Sequence, residues 1–141
     1  MERTKHRLVH EFFAAVTAGE LPDSRLTPDM TACTTTQGSM AKDAYQRVIK
    51  LPKMSASPLT FTIDSITAED DRAVAEVRSE GTLMNGEEYR NTYVFVFRIH
   101  NNRIASVAEH FNALIVQEKM MPLVRTLASE SGKPGTKDIQ K

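Results

Sequence analysis

The hydrophobic period of this chain changes near residue 58, and that change separates two kinds of element. Before it, Leu8, Val9, Phe12, Phe13 and Val16 recur at three- and four-residue spacing. This spacing puts them on one stripe of a helix over about residues 3–18, ended by Gly19. After it the period is two. Leu59, Phe61 and Ile63 alternate with Thr60, Thr62 and Asp64, and Ala73, Ala75 and Val77 alternate with Glu76, Arg78 and Glu80. The acidic run at 69–71 reads as the turn between two antiparallel strands. A helix with one apolar stripe and a sheet with one apolar face cover each other, so the chain is α+β.

The remaining elements follow from turn chemistry. Asn85-Gly86 is a strong hairpin signal, because a type I′ turn needs positive φ at both central residues. Residues 88–100 form the next strand, and Asn101-Asn102 turns the chain into a last strand over about 103–112. A helical segment follows, with Pro122 breaking or restarting it. In the first half, Pro22 and Pro28 bracket a short helical turn and a bend. Residues 30–36 read as a short strand. Ser39 reads as the N-cap of a second long helix with Ala41, Ala44, Tyr45, Val48 and Ile49 facing inward and Pro52 closing it. Residues 1–129 form a single domain, and the polar 130–141 tail, with Gly132, Pro134 and Gly135, is expected to be disordered.

The strand at 93–97, Tyr-Val-Phe-Val-Phe, is apolar on both faces. One helix layer covers only one of them, so the other needs a second layer, and a second copy of the chain is the simplest supplier. A homodimer joined through the outer sheet faces is therefore expected.

Composition narrows the function classes. Eighteen basic and eighteen acidic residues cancel, which disfavours nucleic acid and anionic membranes as partners. The single cysteine, Cys33, allows no internal disulfide and reads as a small core side chain. The N-terminus has no apolar secretory core, and no stretch spans a bilayer, so a cytoplasmic protein is expected. There is no GxGxxG, P-loop, GxSxG or CxxC pair, which argues against nucleotide, flavin and classical hydrolase chemistry, and no cofactor is expected. His6 and His10 have i, i+4 spacing but no third ligand, so no metal is expected.

Residues 104–122, IASVAEHFNALIVQEKMMP, carry the candidate site. An apolar strand delivers Glu109, His110 and Asn112 to the end where it leaves the sheet. Glu109 alternates with Val107 and Phe111 on an apolar face, where desolvation raises a carboxyl pKa toward acid/base use. The structural alternative is a rim carboxylate paired with Arg78 or Arg90. His110 falls on the opposite face, as a weak catalytic candidate. Asn112 cannot transfer a proton, but its amide can polarise and orient a carbonyl. Tyr45, Asn91, Tyr93 and Gln37 could hydrogen-bond a carbonyl inside a pocket walled in part by Val107 and Phe111. The Glu76, Arg78 and Glu80 stripe either lines the pocket mouth or forms a solvated face with cross-strand pairing.

Helices followed by a long meander with DDRAVAEVRSEGTLMNGEEYRNTYVFVFRIHNNRIASVAEHFN resemble the SnoaL-like branch of the nuclear-transport-factor-2 (NTF2-like) and ketosteroid-isomerase superfamily over about residues 5–125. The resemblance implies a cone in which a strongly curved antiparallel sheet wraps long N-terminal helices and leaves a pocket at one end. It also implies a homodimer, and a range of roles among isomerases, polyketide cyclases, epoxide hydrolases and binding or scaffold proteins. In the cyclases of that branch an aspartate two residues after an EH pair is the acid/base. Here the motif is EHFN, with Asn112 at that place. Phenazine-biosynthesis relatives use a glutamate in an E-aromatic-x-N-P motif, which Glu109 matches while Ala113 replaces the proline. The steroid-isomerase set is absent, with TTTQG in the first loop and Val94 near the second aspartate position. The combined reading is a pocket for a small hydrophobic carbonyl-containing molecule, used for isomerase- or cyclase-like proton transfer. The alternative is a non-catalytic binding or dimeric interaction module.

Overall fold

The computed structural model describes residues 2–50, 59–123 and 125–126. Pro52 and the 130–141 tail lie outside them. Helix α1 (Glu2–Ala18) stops where Gly19 takes φ +83° and its N–H bonds the Val16 carbonyl at 3.0 Å, a conformation that costs glycine nothing. A 3₁₀ turn (Asp23–Arg25) leads into β1 (Leu26–Thr34), which reverses into β2 (Gly38–Ala41). Helix α2 (Lys42–Lys50) follows, then the meander β3 (Thr60–Glu69), β4 (Arg72–Thr82), β5 (Glu88–His100) and β6 (Arg103–Phe111). The described residues end in a helical segment that opens with α3 (Ala113–Ile115) and widens into a π-helical turn (Val116–Met120).

The sheet order is β2-β1-β6-β5-β4-β3. All neighbours are antiparallel except β1 and β6, which run parallel, so the expected antiparallel sheet is a mixed one. The α1 stripe packs into the inner face. Phe12 sits edge-on to Phe97 at 5.1 Å and to Phe95 at 6.0 Å, and Phe13 edge-on to Phe95 at 4.8 Å. Ala73 and Ala75, both fully buried, are small enough to let α1 approach the sheet.

Two expectations need correction. Ser39 does not cap α2; it lies in β2, paired with Cys33, and the helix begins at Lys42. Cys33 is exposed, not a core side chain. Along β1 it is Met30, Ala32 and Thr34 that are buried, so alternation turns Thr31 and Cys33 to the outer face.

The turn at 101–102 matches its expected chemistry, whereas the one at 85–86 is not type I′: Asn85 does not take a positive φ, and the Gly86 N–H closes onto the Leu83 carbonyl at 2.9 Å. Gly86 takes φ +88°, and Asn101 and Asn102 take +52° and +61°, the left-handed pair that a tight hairpin requires. Between Ile104 and Ser106 the β5–β6 register slips by one residue. This bulge sets the phase of β6, so that Ile104, Val107, Glu109 and Phe111 all face the concave side.

Candidate functional site

The concave face of the sheet, α2 and the C-terminal segment enclose a cavity of about 220 Å³. Val16, Ile49, Phe61, Phe95 and Phe111 form much of its wall, and Val116 and Met120 approach from the C-terminal segment. That segment is held down by Lys119, whose Nζ lies 3.1 Å from Glu87 Oε1 on the β4–β5 hairpin. The polar groups on the wall are Thr34, Thr36, Gln37, Tyr45, Tyr89, Tyr93 and Glu109.

Glu109 is fixed at its backbone from both sides. It is opposite Thr34 on β1 and Phe95 on β5. Its carbonyl accepts from the Thr35 N–H at 3.2 Å and from the Thr35 hydroxyl at 3.2 Å. A carboxylate on a central strand is more precisely placed than one on a loop. Its side chain is half-buried and faces into the cavity, where the Tyr45 hydroxyl donates to Oε2. Tyr45 is 1% exposed on α2, one turn from buried Ile49. The helix is tied to the 3₁₀ turn by Gln46, whose Nε2 donates to the Leu21 carbonyl and to Asp23 Oδ1, both at 2.9 Å. Burial, then the Glu109 charge, push the Tyr45 phenol well above its ordinary range. Tyr93 is also raised, first by burial and then by the neighbouring Tyr89, with Glu109 adding to it. Both phenols therefore stay protonated at neutral pH, and Tyr45 donates to Glu109.

Of the residues singled out in the sequence, Glu109, Tyr45, Tyr93, Phe111 and Gln37 meet at this cavity. Val107 does not line it; it is 2% exposed in the core. Asn91 is buried as a clasp. Its Oδ1 accepts from the Thr92 and Asn112 N–H groups at 2.8 and 3.2 Å, and its Nδ2 donates to the Tyr89 hydroxyl and the Asn112 carbonyl at 3.0 and 3.2 Å. Asn112 itself caps α3, accepting from the Leu114 N–H at 3.0 Å. Together with His110 it lines a groove of about 570 Å³ on the outer face of the sheet rather than the cavity. The Glu76, Arg78 and Glu80 stripe is on that outer face too. Arg78 grips Asp64 through two nitrogens at 2.8 Å, Glu76 accepts from Ser65 at 2.7 Å, and Glu80 is 3.8 Å from Arg90. The Arg78 guanidinium lowers the Asp64 carboxyl pKa.

Sequence reasoning missed Tyr89 and Thr34. Tyr89 shares the phase of Asn91 and Tyr93 on β5, a signal that alternation contained. Thr34 joins the site only through the parallel β1–β6 pairing.

A helix followed by a curved sheet with an end cavity is the architecture of a known family, and the profile of the SnoaL-like domain matches residues 9–107. The chain belongs to the SnoaL-like family. The matched segment stops two residues before Glu109. Solved SnoaL-like and NTF2-like structures share the fold. A candidate SnoaL-like polyketide cyclase from Jannaschia superposes with a TM-score of 0.70 at 12% identity, covering 82% of this chain and 90% of its own. An NTF2-like protein from Anabaena variabilis gives 0.69 at 20% identity, covering 78% and 87%. An LEH-like epoxide hydrolase from M. tuberculosis gives 0.66 at 13% identity, covering 88% and 94%. At these identities the likeness is one of fold. No curated protein matches the sequence. Among the described residues of this SnoaL-like domain no group of three His, Cys, Asp or Glu side chains could hold a metal ion, and no helix is long and apolar enough to cross a membrane.

Proposed function

We propose that this SnoaL-like domain binds a small, mostly apolar carbonyl-containing molecule in the cone cavity and moves a proton on it, without a cofactor, with Glu109 as the acid/base. The observation that carries the reading is a carboxylate on a rigid central strand, turned into an aromatic-walled cavity and held by the Tyr45 hydroxyl. Tyr45 is a positioning residue in this scheme. It fixes the carboxylate through Oε2, and the carboxyl group takes or gives the proton. The volume of about 220 Å³ lies below the roughly 300–1,000 Å³ of sites for drug-sized ligands, which favours a monocyclic or short-chain molecule over a polycyclic one.

A thermal-shift screen against small hydrophobic ketones, lactones and aromatic acids tests the binding step. A ligand at about one hundred times its Kd stabilises the native state by about 2.7 kcal/mol, a shift of several degrees for a chain of this size. The shift is expected to change in Glu109→Gln. A hit untouched by that substitution places the ligand elsewhere.

The close Tyr45–Glu109 contact supports a second reading, a binding protein that performs no chemistry, in which the carboxylate is a structural partner of the phenol. In that case ligands stabilise the domain and are recovered unchanged.

The homodimer belongs to the same proposal. Val94 is 39% exposed in the middle of β5, with Val74, Val96 and Ala108 half-buried on the same outer face. A single-chain mass by light scattering at micromolar concentration removes the dimer, and a two-chain mass that Val94→Lys lowers supports it.

A further inference from the structure

The cavity lies where two hydrophobic clusters meet. The main core reaches it with Val16, Tyr45, Ile49 and Phe95, and a smaller cluster of Leu59, Leu83 and Tyr89 reaches it with Leu59 and Tyr89. Phe61 packs against both clusters and lines the space between them.

The two clusters mark two ends. At the main-core end, Glu109 is opposite Phe95 on β5 and Thr34 on β1, and Tyr45 donates to its carboxylate. Tyr89 is on the same inward phase of β5, six residues before Phe95, or about 20 Å of strand that the side chains from both ends shorten. This second end is apolar. Leu59 and Tyr89 form it from the sheet, and Val116 and Met120 from the C-terminal segment.

The wall groups of the apolar end differ in how firmly they are held. Leu59 is 5% exposed and Tyr89 is 1% exposed. Leu59 is seated against Gly81, where an added Cβ would stand 2.7 Å from Leu59 Cδ2. Met120 is only half-buried and packs against the small cluster from outside the main core. It is also unbranched, with the adaptable thioether that fills irregular gaps. Its end of the cavity can therefore be lengthened without disturbing α1 on β5.

We infer that Met120 is the specificity-determining residue for ligand length, the stop met by the apolar end of a molecule whose carbonyl end is at Glu109. The inference rests on the cavity being the ligand site, as proposed above. It deepens the ligand class to aryl ketones carrying a short alkyl tail opposite the carbonyl, because the polar groups around Glu109 take the carbonyl end and the space toward Tyr89 is narrow and apolar.

Acetophenones with a linear para-alkyl chain of increasing length are the probes, with dissociation constants from ligand-observed NMR. In the wild type each buried methylene is expected to tighten binding about fourfold, until the chain meets Met120 and the gain stops. Met120→Ala removes the γ, δ and ε atoms, and the break is expected about two methylenes later, each of them again worth about fourfold. Met121→Ala is the control, because Met121 is the exposed neighbour on the same segment, and it is expected to leave the break in place. With 13C-methyl methionine in the wild type, a nuclear Overhauser contact is expected between the chain-terminal methyl at the break and the Met120 methyl, assigned by its loss in Met120→Leu. A series without a break, a break at the same length in Met120→Ala, an equal shift in Met121→Ala, or no contact to the Met120 methyl overturns the Met120 assignment and leaves the cavity intact as a ligand site. Failure of every member to bind at its solubility limit overturns the cavity reading itself, and the Met120 assignment with it.

Discussion

Phe12→Ala is expected to destabilise the protein by about 3–5 kcal/mol, the usual cost of removing a fully packed aromatic side chain. Phe12 is 1% exposed and meets Phe13, Phe95 and Phe97 in edge-on contacts. Its removal leaves a cavity where α1 crosses the two most apolar positions of β5. The flanking side chains cannot collapse into that space. Phe95 and Phe97 are stacked on each other with rings 14° apart on a strand paired on both sides. Domains are stable by only about 5–15 kcal/mol, so this one substitution removes a large share, equivalent to about 10 °C or more in Tm for a chain of this length. Met84→Ala is the control, because Met84 is 56% exposed and surface changes usually stay within about 0.5 kcal/mol. Urea unfolding of the two variants is the measurement. A loss below about 1 kcal/mol for Phe12→Ala contradicts the placement of α1 on β5.

The same packing explains how much of this fold the sequence contained. The α1 stripe and the β5 strand were legible because each is a long periodic pattern whose period matches its own geometry, and the Asn-Gly and Asn-Asn turns because few residues accept positive φ. Two features were not legible. Strand β2 has four residues, too few for a period, and Ser39 looks like a cap only while its pairing with Cys33 is unknown. The parallel β1–β6 pairing joins segments some seventy residues apart, and nothing local in either strand encodes it.

The site divides in the same way. The inward direction of Glu109 followed from Val107 and Phe111 on either side of it, which lie past the bulge at residues 104–106 and so were not affected by it. Its meeting with Tyr45 depends on how α2 crosses the sheet, and alternation along β6 says nothing of that. Asn91 looked like a ligand group because it is polar on an inward face. The chain exit at Asn112 supplies its hydrogen-bond partners instead.

The other large effect is expected at Glu109. In D2O, the wild-type domain is expected to exchange the C–H hydrogens next to the carbonyl of 1-phenylpropan-2-one, a small aromatic ketone whose benzylic position is acidified by the ring. Proton NMR follows the loss of signal. Glu109→Gln keeps the shape and removes the proton acceptor. The exchange rate is expected to fall about 10²–10⁴-fold, the usual contribution of a positioned acid/base.

Tyr45→Phe separates positioning from chemistry. It removes the donor to Oε2 but leaves the carboxylate, so its loss is expected to be smaller, about tenfold to one hundredfold for one hydrogen bond to a charged group. The alternatives give different patterns. A Glu109→Gln variant that exchanges at the wild-type rate removes Glu109 from the chemistry. A wild type that binds the ketone, shown by a thermal shift, but exchanges no faster than buffer points to the binding protein. A drop of similar size in both variants means that the Tyr45–Glu109 pair acts as one unit, and Tyr45 is then part of the catalytic group and not only its support.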